Sequence, residues 1–323
     1  MVFILKLELD IKMNEVNEIY VDNEVKIKIH KVNLNNPSEK EYYSNELQKL
    51  ENLKDFTYPL GNETFCIKHG LGENNSYFDF FNQLGNNVHY VILHKQQIIG
   101  TICLIYRNYR NCRNYRKFEH YINNRNLKNH SKQINYNDNY FYICDYKILK
   151  EFRGKNITKK LFNKLFKENI RISNKFMFVN MVNPNQQQNK NGLINKAKML
   201  FSIFNVHEKP LYLYEMQLME FKGFLNQNDL NENDYFFFSN DGKKDIFISN
   251  QHHPIIHAIN KNNINNMRDW QDIEVKLDSV KSDSHIMFTS FEKLKTTNPL
   301  IQESKAKIVS NLKNIPLISS GEI

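Results

Sequence analysis

From residue 5 to 13 apolar and polar positions alternate strictly: Leu5, Leu7, Leu9, Ile11 and Met13 against Lys6, Glu8, Asp10 and Lys12. That is the period of a strand with one wet face. Val25, Ile27 and Ile29 repeat it after a turn at Asp22-Asn23. From Pro37 the period lengthens, and Tyr43, Leu47 and Leu50 fall on one helical face, with acids early in the segment as the helix dipole prefers. Residues 88–93 and 98–106 are two β-rich apolar runs around the polar His94-Lys95-Gln96-Gln97, which predicts a hairpin. Residues 140–149 predict a further strand. It runs without a linker into Arg153-Gly154-Lys155-Asn156 and a helix with Leu161, Phe162, Leu165 and Phe166 on its buried face. A strand over 175–182, a helix over 191–204 and a strand over 211–219 follow.

Past residue 225 the texture changes. Tyr235-Phe236-Phe237-Phe238, then Asn240-Asp241-Gly242, then Asp245-Ile246-Phe247-Ile248 predicts a second hairpin, because Asp-Gly supplies the positive φ of a type I′ turn. A polar stretch at 260–266, a short strand over 285–289 and a helix over 291–312 complete the chain. The reading is an α+β protein with a mixed sheet, divided into a unit over 1–225 that carries a polar, basic insertion at 107–139, and a C-terminal α+β extension over 226–323.

The length of 323 residues suffices for one large core and a smaller second one. Only 10 Gly and 7 Pro occur, which excludes collagen-like sequence and Gly- or Pro-rich linkers. The chain is Asn-rich and Lys-rich, and Ala197, Ala258 and Ala306 are its only alanines, a skew toward A- and T-rich codons. Because that skew inflates Lys, the net charge of +9 is a weakened sign of a polyanionic partner. Four Cys stand apart with no CxxC pair, and Cys103 and Cys144 lie in apolar runs, so reduced core thiols are expected and a zinc module or disulfide scaffold is disfavoured. Lys6, Glu8 and Asp10 break the apolar start before a signal-peptide core forms, and no run reaches the roughly 18 apolar residues of a membrane span. A soluble protein of a reducing, cytoplasmic compartment, with no membrane partner, is expected.

The chemistry concentrates where the strand over 140–149 turns through 150–156 into the helix at Ile157. Unpaired amides and the helix dipole there point outward together, a cradle for an anion, and Arg153, Lys155, Lys159 and Lys160 add positive charge beside it. An ordinary strand-to-helix connection with solvated basic residues would read the same way locally. The order of elements separates the two. The hairpin VHYVILHKQQIIGTICLIY from Val88 and the strand and loop YFYICDYKILKEFRGKNITKKLF from Tyr140 resemble the GNAT acetyltransferase superfamily, over about residues 25 to 220. In that family such a hairpin precedes a strand and a pyrophosphate loop of pattern Arg/Gln-x-x-Gly-x-Gly/Ala. Arg153 takes the first position of the loop, Asn156 stands in place of Gly and Thr158 in place of Gly or Ala. Asn is the non-Gly residue most tolerant of left-handed geometry.

The resemblance implies acetyl-CoA as co-substrate, lying in a splay between the strands that end near Leu149 and run over 175–182. Its pantetheine would pair with main chain at Ile148, Leu149 and Lys150, and its diphosphate would lie on Arg153, Gly154, Lys155, Asn156, Ile157 and Thr158. The implied reaction is direct attack of a primary amine, of a small molecule or a protein, on the thioester, served by a base and an acid. Asp145 is the expected base, a carboxylate in an otherwise apolar strand where burial favours proton uptake. Hydrogen bonding to a neighbouring turn is its alternative role. Tyr142, on the opposite parity, is a second candidate acting through water. Where many family members place a Tyr acid, this chain has Phe201, which leaves Tyr212 or Tyr214, or unassisted thiolate departure.

Two other readings compete. Arg107, Arg110, Arg113, Arg116, Lys117, Arg125, Lys128 and Lys132, interleaved with Tyr106, Tyr109 and Tyr115, could track phosphates and stack bases, so a degenerate GNAT fold used as an RNA- or protein-binding module through 107–132 is the alternative function. A structural protein whose C-terminal hairpin forms an oligomer interface is the third. His252, His253 and His257 have metal-like spacing, but Pro254 breaks the helix it would need, so a loop and no metal site are expected. Cys144 has no local His partner and is read as a packed thiol.

Overall fold

The computed structural model describes residues 17–21, 25–108, 139–169, 173–181, 206–261, 274–281, 283–312, 315 and 317–323. The strand expected over 5–13, the helix over 191–204, Phe201, and the greater part of both the basic insertion and the polar stretch lie outside these residues.

Strands β1 (Asn17–Val21) and β2 (Val25–Lys31) pair antiparallel and lead to helix α1 (Pro37–Glu51). Asn36 caps α1 by accepting from the N–H groups of Ser38 and Glu39, and Pro37 occupies the first turn. The helix buries Tyr43, Leu47 and Leu50 as expected, but also Glu39 and Glu51. Glu51 is its last residue, where the dipole disfavours an anion, so a compensating cation is required. Strands β3 (Thr57–Leu60) and β4 (Glu63–His69) form a tight hairpin across Gly61-Asn62, and a short helix α2 (Asp79–Leu84) follows. The expected hairpin is β5 (Asn87–His94) and β6 (Gln97–Asn108), its turn made by Lys95 and Gln96 at φ of 48° and 69°. Strand β7 (Asn139–Ile148) runs into α3 (Ile157–Asn169), which buries Leu161 and Leu165 fully, and then to β8 (Phe176–Met181).

The C-terminal part departs from expectation. Strand β9 (His207–Gln217) is followed by α4 (Leu218–Gln227), then β10 (Tyr235–Ser239), β11 (Lys244–Ile248), β12 (Gln251–His253), β13 (Ile255–Asn260), β14 (His285–Ser290) and β15 (Gln302–Ser310). The hairpin expected of β10 and β11 does not form. Their connecting turn sends β10 to pair with β13 in the large sheet and β11 to pair with β4 in the small one. The helix expected over 291–312 is instead extended, and β15 inserts antiparallel between β8 and β9. Its alternating Ser304, Ala306, Ile308 and Ser310 are buried, a period-2 face that flanking Lys and Glu residues mask in the sequence.

Eleven strands thus form one mixed sheet in the order β1-β2-β5-β6-β7-β8-β15-β9-β14-β13-β10, and four form a second, β12-β11-β4-β3. The α+β character holds. Hydrogen bonding runs across residue 225, because β15, from beyond it, inserts between β8 and β9, which both precede it. The small sheet lies against the large one through Leu60, Phe65, Ile67, Leu213, Ile246 and Met287, each worth roughly 1.5–3 kcal/mol on full burial. Among the described residues no helix is long and apolar enough to cross a membrane.

Candidate active site where two parallel strands part

Strands β7 and β8 are parallel and pair only at Phe141, Tyr142 and Ile143 with Phe176, Met177 and Phe178. Beyond Ile143 they separate. On its other edge β7 carries a bulge: two steps along β6, Thr101 to Cys103, oppose three along β7, Lys147 to Cys144. Asp145 sits in the bulge at φ 52°, a left-handed geometry that Asp tolerates better than most residues. A cavity of about 290 Å³ opens at this divergence. Tyr146, Phe162 and Phe178 line it together with Tyr58, Phe65, Phe80, Phe81, Glu322 and Ile323.

Its polar wall is a buried network that sequence reasoning found only in part. Lys147 donates to Glu51 and to Asp145, and is 3.3 Å from the Tyr77 hydroxyl. Tyr77 donates to the other oxygen of Asp145 at 2.5 Å. Glu51 also accepts from the His69 peptide N–H at 2.8 Å and meets His69 Nδ1 at 2.7 Å. Burial alone would raise the Glu51 carboxyl, but Lys147 and His69 overcome it and hold the group down at about 2. Burial would likewise lower Lys147, yet Asp145 and Glu51 raise it above the usual lysine range, so it stays an ammonium. Burial, with Asp145 and Glu51 adding to it, pushes the Tyr77 phenol well up. Glu51, His69 and Asp145 bring ligand atoms within 4.8 Å of one another, a spacing a metal could use, but the Lys147 ammonium already bonds both carboxylates there.

Both oxygens of Asp145, the expected base, are engaged, by an ammonium and a phenol. Tyr142 lines the cavity, donates to the Glu322 carbonyl at 2.9 Å and lies under the Arg107 guanidinium, 4.7 Å from its ring centre. Arg107, counted above in the basic stretch, is 1% exposed and ion-paired with Glu322 at 2.9 Å, so it is not available to a nucleic acid. Tyr212 and Tyr214 do not line the cavity; both pack in the separate cluster around α4, where the Tyr214 hydroxyl accepts from Leu294 N–H. His252 bonds Asp245 and His257 bonds Ser320, and both histidines stand on or beside strands, not in a loop.

The turn into α3 leaves backbone amides over. Gly154 and Asn156 take φ of 84° and 56°, and among the described residues the N–H groups of Gly154, Lys155, Ile157 and Thr158 have no acceptor. The Thr158 hydroxyl is bonded to the Tyr146 hydroxyl at 2.6 Å. The adjoining edge differs. Arg153 turns back, donating from Nε to the Ile148 carbonyl at 2.8 Å and from its guanidinium to the Asp55 carbonyl at 3.0 Å. Leu149 N–H goes to the Ile99 carbonyl and Lys150 N–H to the Asp55 carboxylate at 2.7 Å, so the main chain expected to meet pantetheine is satisfied from within.

Lys147, Glu51, Tyr77 and His69 were missed. His69 continues the period of Phe65 and Ile67, a signal that was in the sequence, whereas the bulge at Asp145 that brings Lys147 to it was not. That Glu51 meets them was not, since it lies 96 residues from Lys147.

No protein-family model matches the chain. An uncharacterized protein of Acanthamoeba polyphaga mimivirus is 27% identical over 181 residues, 54% of this chain and 47% of that protein, so the match spans about half of the relative's length. Among solved structures, the chain is similar to Arabidopsis thaliana NAA60 in complex with acetyl-CoA, at 14% identity and a TM-score of 0.30, covering 59% of this chain and 88% of that one. A GCN5-related N-acetyltransferase from Kribbella flavida gives 5% identity and a TM-score of 0.28, covering 68% of this chain and 59% of that one. In this chain an antiparallel hairpin, a bulged strand, an amide-rich turn, a connecting helix and a parallel strand that parts from its neighbour follow one another in that order.

Proposed function

We propose that this protein is a GNAT-like N-acyltransferase that moves acetyl from acetyl-CoA to a primary amine. The observation that carries the reading is the parting of β7 and β8 after three paired residues, with acceptor-free amides at the mouth of the gap. The residues fit a diphosphate there. Gly154, Lys155, Ile157 and Thr158 offer N–H groups, Asn156 supplies the left-handed turn, and Lys155, Lys159 and Lys160 add charge. Arg153 serves as a tie between this loop and β7, and pantetheine pairing at Ile148 requires it to release that carbonyl. Bound acetyl-CoA would supply a thioester that an amine can attack without a covalent enzyme adduct.

On the acceptor side the wall charges favour a cation. Glu51 and Asp145 carry two negative charges against the one positive charge of Lys147, while Arg107 and Glu322 cancel. An ammonium entering between the small sheet and β7 meets that excess in a site of low dielectric. Calorimetric titration of the full chain with CoA tests the reading. Saturable binding around ~10⁻⁶ M is expected, together with CoA thiol release from acetyl-CoA in the presence of a panel of primary amines. No heat at millimolar CoA refutes it.

A further inference from the structure

We propose that His69 is the group that accepts the acceptor's proton, with Glu51 as its positioning residue; this rests on the acyl-transfer reading above. The acid and base candidates named above are committed. Asp145 accepts from Lys147 and Tyr77 with both oxygens, Lys147 is a fixed ammonium, and the Tyr142 phenol is bonded to a carbonyl. His69 is different. It lines the cavity, and among the described residues no hydrogen bond reaches its Nε2.

The ring is fixed from several sides. Glu51 grips it at two points, Oε2 on the peptide N–H and Oε1 on Nδ1. Tyr77, Phe80 and Phe81 pack against it with ring centres 5.2, 5.2 and 4.8 Å away, and Gln48 donates to its carbonyl at 3.1 Å. Because Glu51 is an anion, Nδ1 is the donor in that contact, and the neutral ring carries its lone pair on Nε2. The charged and titratable groups around it are Glu51 on α1, Asp145 and Lys147 on β7, Tyr77 before α2, Tyr58 on β3, His89 on β5 and Lys244 opposite it on β11. Burial, with Lys147 adding to it, lowers His89 to about 3, and burial lowers Lys244 to about 7. His69 is thus the one imidazole of this set that combines a carboxylate on Nδ1 with an open Nε2.

The step balances as follows. An acceptor ammonium gives one proton to Nε2; its nitrogen forms a bond to the thioester carbonyl carbon, and the carbon–sulfur bond breaks with the electron pair left on sulfur. The new amide nitrogen loses its second proton to solvent, and the proton on Nε2 passes to the sulfur, giving free CoA thiol and restoring the neutral ring.

The test uses the full chain with isotopically labelled histidine, the His69→Gln variant assigning the ring by its missing signals. Two-bond proton–nitrogen NMR near neutral pH is expected to show the Nδ1–H tautomer with a bare Nε2, and CoA added to saturation is expected to shift that ring. Glu51→Gln, whose amide can donate to Nδ1, is expected to admit the Nε2–H tautomer, a change that a merely structural carboxylate would not produce. With any amine that the wild type turns over, His69→Gln is expected to lose about 10²–10³ in kcat while CoA affinity changes less than about twofold. An Nε2–H tautomer in the wild type, an imidazolium that persists into alkaline solution, or a ring unmoved by CoA that calorimetry shows bound overturns the proposal and leaves the acyl-transfer reading standing. Absence of CoA binding overturns both.

Discussion

Replacing Lys147 by Met removes the single cation from between Glu51 and Asp145 and keeps the length of the side chain. Two buried carboxylates then face each other without a counter-ion, and loss of one partner from a buried ion pair costs about 3–5 kcal/mol. The wild-type linkage gives a comparable figure. A Glu51 carboxyl held at about 2 instead of 4.5 contributes ~3 kcal/mol of stability at neutral pH, fully present above the unfolded value and lost as the pH falls through about 2. In Lys147→Met the dependence reverses. At least one carboxyl of the pair now binds its proton more tightly in the folded state, so relative to the wild type the variant gains stability as the pH falls from neutral toward the unfolded carboxylate range. Urea denaturation followed by far-ultraviolet circular dichroism, repeated across that range, reads both effects. A loss below about 1 kcal/mol at neutral pH, or a pH dependence identical to the wild type, would show that the ammonium does not hold these two acids.

Asn156→Val forces a β-branched side chain into left-handed backbone and should cost roughly 1–2 kcal/mol and weaken CoA binding, whereas Asn156→Gly should keep the turn and cost less than Asn156→Val; denaturation and calorimetry check the pair. A fragment of residues 1–225 lacks β15, which leaves β8 and β9 with unpaired edges in the middle of the sheet. It should show no cooperative thermal transition, and a sharp one would demonstrate that the N-terminal part folds alone.

Elements with strong local periodicity were legible in the sequence. The runs of β5 and β6, the strand β7, the buried stripe of α3 and the turn at Arg153 to Thr158 each declare themselves by spacing, because the identity of the covered face depends only on the period of the backbone. The partner of a face is not encoded that way. The aromatic run of β10 reads identically whether it pairs with β11 or with β13, and β15, built from Lys, Glu, Ser and Ala among a few aliphatics, looks helical until a gap between β8 and β9 gives it two ladders to complete. The site divides along the same line. Asp145 stands out locally as a charge in an apolar strand, but its meaning depends on Lys147, re-aimed by a one-residue bulge, and on Glu51 and His69, brought from α1 and β4 by packing of two sheets. Sequence alone determined the strongly periodic segments; the tertiary structure decided which strands pair and which buried charges meet, since electrostatic energies depend on distances that no residue spacing records.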